Sequence, residues 1–216
     1  MSQHTLWLLR FTYKKLKEKL TVSDSKKLFH EQFPYVIPGL YKRIVDEILV
    51  ELNLLNHQNE FKQDYLFCIG LTEMFKEFMQ DYNPSMHLDL LFESLCKSTN
   101  FEANEIKETS IKSLEKFKDK SFEETVKLLD ERKSSKPYPS RILNIGIYLI
   151  ISQCKDFEET NKSEMSQVIS DVFEKLNLSV SKAEKDIGIY KTSIKKMEQA
   201  KELIEELRIK GKKDAK

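Results

Sequence analysis

Two segments of this chain repeat one pattern, Phe67-Cys68-Ile69-Gly70-Leu71 and Leu143-Asn144-Ile145-Gly146-Ile147. Each sits inside a helical run, the first from Phe61 to Tyr82 and the second from Ser140 to Gln153. In both runs apolar residues go nearly all the way round, as they do when a helix is buried on every side. A glycine in mid-helix costs about 1 kcal/mol against alanine unless another backbone passes too close for a side chain. Two such helices, each with one central glycine, therefore predict a tight crossing at Gly70 and Gly146. Matching pieces follow downstream, Phe92-Glu93-Ser94-Leu95 and Phe173-Glu174-Lys175-Leu176. The unit then reads as a buried helix, a loop, an amphipathic helix and a charged helix, as an internal duplication would leave it. A chance match between helices gives the same pattern, and both readings predict an all-α scaffold.

Composition agrees with that class. Five glycines and five prolines in 216 residues, a third of them charged, are too few turn formers for a β fold, and the length suits a single multi-helix domain. Lysine outnumbers arginine 31 to 5, yet the formal net charge is only +1, so the lysines do not argue for a nucleic-acid partner. The charge is uneven: Arg10, Lys14, Lys15, Lys17 and Lys19 face only Glu18 in the first 22 residues, and nine basic groups face five acidic ones from Lys191 onward. Cys68, Cys96 and Cys154 are odd in number, lack C-x-x-C spacing and lie in apolar helical patterns, which predicts buried thiols in a reducing compartment. Leu6-Trp7-Leu8-Leu9 is too short for a signal-peptide core, and Ile145 to Ile151 is far below the roughly 20 residues of a membrane span. A soluble or peripheral protein is expected.

Along the chain, Ser23 is placed to cap a short helix reaching His30, with Pro34 and Pro38 in an extended link after it. From Gly39 to Asn56 one face carries Tyr41, Ile44, Val45, Ile48, Leu49, Leu52 and Leu55, while Lys42–Asp46 and Arg43–Glu47 form i,i+4 pairs outside it. Glu51 falls on the edge of that apolar arc and needs a partner, for which Arg141, at the start of the second glycine helix, is the candidate. Asn83-Pro84 opens the helix of Leu88, Leu91, Phe92 and Leu95. Residues 100–120 are polar and weakly periodic. Ser121-Phe122-Glu123-Glu124 and Ser181-Lys182-Ala183-Glu184 have capping-box spacing, with a Ser/Pro linker from 134 to 139 between them. The second box opens the longest helix, whose seam of Ile187, Tyr190, Ile194 and Met197 has coiled-coil spacing, weakens at Lys201 and resumes at Ile204 and Leu207. This divides the chain into an N-terminal extension over residues 1–20, a helical body over 21–200, and a projecting end over 201–216. Ile204, Leu207 and Arg208 there are the candidate partner-binding residues.

Catalytic and metal patterns are missing. His4, His30, His57 and His87 include no H-E-x-x-H and no Glu-x-x-His, and there is no Gly-rich phosphate loop or Gly-x-Ser-x-Gly. Glu47 and Glu51 could share a metal, but carboxylates at a core edge are more often paired to arginine. The sequence therefore offers no catalytic, cofactor or metal residue and argues against an enzyme. Leu6, Trp7, Leu8, Leu9, Phe11 and Tyr13, set among the N-terminal lysines, have two readings. Such a segment can lie in an anionic bilayer interface, or it is a disordered or loosely docked extension.

Thr21-Val22-Ser23-Asp24-Ser25-Lys26 and Tyr41-Lys42-Arg43-Ile44-Val45-Asp46-Glu47-Ile48-Leu49-Val50-Glu51-Leu52 closely resemble the opening of the thylakoid formation protein family, also called the photosystem II biogenesis family. The likeness continues at Ile69-Gly70-Leu71, Phe75, Phe78-Met79 and Tyr82-Asn83-Pro84. It resumes at Ser140-Arg141-Ile142-Leu143, Ile145-Gly146, Lys185-Asp186-Ile187, Tyr190-Lys191 and Lys196-Met197-Glu198-Gln199-Ala200. Residues 1–16 and 100–136 depart from the pattern. The resemblance implies an all-helical, non-enzymatic protein, peripheral on the cytoplasmic or stromal side of thylakoids. Its implied role is photosystem II assembly and repair beside the FtsH-type membrane protease, with assembly or repair intermediates as further partners. The missing transit peptide favours a cyanobacterial source, and the lysine-rich composition is similar to small-genome marine forms. The competing reading is a protein that binds anionic thylakoid lipid and shapes the membrane through its basic ends.

Overall fold

The computed structural model of the chain describes residues 19–130, 137–157 and 162–214. Residues 1–18 of the N-terminal extension and the first half of the Ser/Pro linker, residues 134–136, lie outside the described residues. Nine α-helices and no strand occur among those described: α1 (Val22–Gln32), α2 (Gly39–Asn56), α3 (Tyr65–Phe78), α4 (Leu88–Ser98), α5 (Ala103–Leu114), α6 (Phe122–Asp130), α7 (Arg141–Ser152), α8 (Lys162–Lys175) and α9 (Val180–Asp214).

Local chemistry sets the helix starts, and it moves several of them from where the sequence pattern puts them. Thr21, not Ser23, caps α1: its hydroxyl accepts from the Asp24 N–H at 3.2 Å while the Asp24 carboxylate accepts from the Thr21 N–H at 3.1 Å. A hydroxyl needs an acid three residues on to close this reciprocal box, and only Thr21 has one. Asp64 caps α3 through the Phe67 N–H, so the helix starts later than Phe61. Ser140 caps α7 through the Leu143 N–H. Ser121 and Glu124 form the box that opens α6. At α9 the cap is Ser179, accepting from the Lys182 N–H, and Ser181 lies inside the first turn. Pro84 follows a cis peptide bond and precedes a single 3-10 turn, Ser85–His87, so α4 begins only at Leu88.

The buried residues fall into two hydrophobic clusters that share one wall. Helices α1, α2, α4 and α5 surround the first, and α6, α8 and the start of α9 surround the second. The wall is the α3–α7 pair. Phe67, Cys68, Leu71, Met74 and Phe75 of α3 face the first cluster, while Leu66 and Ile69 face the second. On α7, Ile142, Ile145 and Leu149 face the first, and Leu143, Ile147, Ile150 and Ile151 the second. Helices buried on both sides must be apolar nearly all round, which accounts for their composition.

The two walls meet at their glycines. A Cβ built on Gly146 would stand 2.6 Å from the Leu66 carbonyl oxygen and 2.8 Å from the Gly70 Cα, and one on Gly70 would overlap the Ile142 carbonyl oxygen. Leu66 lies four residues before Gly70, and Ile142 four before Gly146. Each glycine thus receives the carbonyl one turn upstream of the other, a local two-fold arrangement that brings the helices closer than any side chain allows.

The repeat extends beyond the crossing, in a register different from the one the Phe-Glu-x-Leu match implies. Asn100 and Asn177 both adopt left-handed backbone, with φ of 63° and 54°. Each ends its helix with the same bond across the cap, Phe101 N–H to Cys96 carbonyl and Leu178 N–H to Phe173 carbonyl, both at 2.9 Å. The two asparagines stand 77 residues apart in sequence, one more than Gly70 and Gly146. Cys96 is therefore the counterpart of Phe173, and Phe92 is not. Asparagine tolerates this conformation because its short polar side chain bonds locally, and alanine does not. Asn177→Ala is expected to lower stability by about 1 kcal/mol and Asn177→Gly to leave it nearly unchanged, read by urea denaturation. Equal stability for the two variants would remove the cap from the account.

Candidate functional site: the Arg141 groove and the free end of the C-terminal helix

Arg141 begins α7 and reaches the outer edge of α2. Its Nε donates to Glu51 Oε2 at 2.8 Å, and its Nη1 lies 3.5 Å from Glu47 Oε2. Glu51 Oε1 also accepts from the Ile142 N–H at 3.1 Å, so one carboxylate answers both a guanidinium and the free amide end of α7. Glu47 is shared further with Arg43, whose Nε donates at 2.8 Å. Burial pushes the Glu51 carboxyl up from its ordinary range, and the opposing pull of Arg141 and the Ile142 amide does not cancel it. Beside this pair, Asn144 Nδ2 donates to Asp186 Oδ2 at 2.8 Å, linking α7 to α9.

These charges floor a groove of about 770 Å³ that runs along the outer face of α2 from Arg43 to Gln58. Val50 and Leu54 supply apolar surface from α2, and Tyr138 and Pro139 supply it from the opposite side.

The second feature is the far end of α9. Its seam packs into the body: Ile187 is buried in the second cluster, Tyr190 and Met197 in the first, and Ile194 is half-buried against it. Tyr190 donates to Glu77 on α3. Lys201 Nζ meets Asp81 at 2.7 Å, tying this part of the helix to the body. Beyond it Leu203, Ile204, Leu207 and Ile209 are exposed, with Leu207 at 59%. Ile204 and Leu207 belong to neither hydrophobic cluster of the described residues, and the side chain of Arg208 lies outside those residues.

Neither feature has the chemistry of a catalytic centre. Among the described residues no three His, Cys, Asp or Glu side chains are placed to hold a metal, and no helix is long and apolar enough to cross a membrane. Burial pushes the thiols of Cys68 and Cys96 up to about 12, so both stay protonated and unreactive at neutral pH. Sequence reasoning missed the Asn144–Asp186 contact, although a lone asparagine within an apolar helix is a signal that a polar partner must be brought to it. It also missed the exposed Tyr35 and Val36 of the link after α1 and Met86 of the 3-10 turn, with the Tyr35 ring stacked on His87 at 3.8 Å.

The described residues form an all-helical body with two buried helices crossing at paired glycines, an ionic groove and a terminal helix that outruns its core. The thylakoid formation protein model matches residues 21–216, and the chain belongs to that family. It is 73% identical over 198 residues to Protein Thf1 of Prochlorococcus marinus (strain MIT 9312), covering 92% of this chain and 98% of the relative. To Protein Thf1 of Prochlorococcus marinus subsp. pastoris (strain CCMP1986) it is 67% identical over 201 residues, covering 93% and 100%. The solved structure of Psb29 superposes with a TM-score of 0.79 at 25% identity, covering 90% of this chain and 98% of that one.

Proposed function

We propose that the chain is a non-enzymatic factor of photosystem II biogenesis and repair and of thylakoid membrane organisation. It works peripherally at the cytoplasmic face of the membrane as a binding partner of the FtsH-type thylakoid protease. Family membership supports the setting. The docking assignment rests on one observation, the exposed Leu203, Ile204 and Leu207 on a helix that has left its own core. An apolar row on a projecting helix, flanked by Lys201 and Lys210, is the form in which a helix is offered to a groove on another protein. Truncation after Lys201 keeps the ion pair to Asp81 and removes the row. The thermal melt of the body, followed by circular dichroism, is expected to stay nearly unchanged while co-purification with the protease from detergent-solubilised thylakoids is lost. Recovery of the protease at wild-type yield by the truncated chain would place the docking surface elsewhere and overturn the assignment.

A further inference from the structure

Two segments far apart in sequence meet on the surface of the body and hold apolar side chains out to solvent. Pro34 and Pro38 restrict the backbone on either side of Val36, which is 92% exposed. Met86, in the 3-10 turn before α4, is 82% exposed, and Tyr35 is 46% exposed. The stacking of Tyr35 on His87 joins the two segments. Behind that stack the buried Phe33 ring lies 5.5 Å from Tyr35 and 6.2 Å from His87. Val36 and Met86 are thus carried outward on an aromatic base instead of lying down on it.

The charges beside this tip cancel. The nearest charged residues in sequence are Glu31 and Lys42 on either side of the link, and Asp81 and Asp89 on either side of the turn. Lys201 pairs with Asp81 and Lys107 with Asp89. Attraction to a partner of one charge has nothing to act on here, which leaves the burial of apolar surface as the driving force. Side chains as exposed as Val36 and Met86 have no walls around them. A protein partner would need a separate pocket for each, whereas the interfacial region of a bilayer accepts any convex apolar tip. Tyrosine suits that region because its ring is apolar and its hydroxyl stays wet.

We propose that Tyr35, Val36 and Met86 form the membrane contact of this protein. Val36 and Met86 enter the boundary between headgroups and acyl chains of a lipid bilayer, and Tyr35 stands at headgroup level. The inference rests on the peripheral placement at thylakoids proposed above and locates it on the molecule. It also places α9: Lys201 holds Asp81 a few residues before Met86, so the helix leaves the body beside the same turn. The exposed row of Leu203, Ile204 and Leu207 then lies close to the bilayer, where a membrane-bound partner is met.

Flotation of the full-length protein with phosphatidylcholine vesicles, which carry no net charge, tests the contact. The parent protein is expected to float with them and to stay bound in concentrated salt. Val36→Ser and Met86→Ser should each lower the partition coefficient about tenfold, and the double variant about a hundredfold, with the helical melt unchanged. Ile189→Ser, at a residue 44% exposed on the mid-body part of α9, should float like the parent. With α9 intact, the double variant should still recover the protease from detergent-solubilised thylakoids, so this contact and the docking at α9 fail or stand separately. Three results would overturn the proposal. One is a parent protein that floats only when phosphatidylglycerol is added and detaches in salt, which assigns the contact to cationic segments. The second is a double variant that floats like the parent. The third is a double variant that loses the protease in detergent, which makes the tip a protein contact.

Discussion

Gly146→Ala is expected to destabilise the fold by more than the roughly 1–3 kcal/mol that overpacking a core usually costs, and to abolish folding in a marginal background. The reason lies in what the methyl meets. At most core positions an added carbon pushes a side chain, which can rotate away, but here it meets the Leu66 carbonyl at 2.6 Å and the Gly70 Cα at 2.8 Å. Backbone in the middle of a buried helix has no alternative rotamer, so α3 and α7 must separate as whole helices, and both hydrophobic clusters lose contacts along the shared wall. Gly70→Ala should behave alike because the Ile142 carbonyl faces it in the same way. Gly188→Ala is the control: nothing lies within 4 Å of the added methyl, and helix propensity alone predicts a gain of about 1 kcal/mol. Equilibrium denaturation of the three variants decides the matter. If Gly146→Ala lost less than 1 kcal/mol, the crossing would not be a backbone contact.

The crossing was legible in the sequence because a glycine inside a wholly apolar helix conflicts with helix propensity, and such conflicts carry information. The charge of Glu51 within an apolar arc was legible for the same reason. Helix α5 was not. Its buried face against the body is built from Ala103, Ile106, Ser110 and Ser113, of which only Ile106 is a large hydrophobe, so residues 100–120 show no apolar period. Small residues let α5 approach α3 closely, but in the sequence they resemble a solvated loop. The register of the repeat was hidden for a related reason. It is carried by left-handed Asn100 and Asn177, and an asparagine in sequence does not say whether it caps, turns or faces solvent. The groove depends on residues from α2, α7 and α9, and only the fold brings Asp186 beside Glu51.

The remaining large effect belongs to the Arg141 pair. Glu51 and Arg141 side chains are 16% and 28% exposed, low enough for desolvation to matter. Arg141→Met is expected to cost about 3–5 kcal/mol, because it leaves a buried carboxylate held only by the Ile142 amide. Glu51→Leu should cost less, since Arg141 keeps Glu47 within 3.5 Å and has better access to water. The double variant should lose much less than the two single losses added together, as in any pair whose members mainly relieve one another's burial. The pH dependence has a definite sign. Glu51 has a carboxyl raised by burial, so its protonated form is the one the folded state favours, and this contribution is lost as pH rises through the folded value. Removing the guanidinium takes away the strongest opposing influence and widens that gap. The deficit of Arg141→Met relative to the parent should therefore shrink as the solution is acidified into the carboxylate range, because a neutral Glu51 needs no counter-charge. Additive single losses, or a deficit that grows on acidification, would mean that the contact between α2 and α7 is held by packing and that the ion pair merely sits on it.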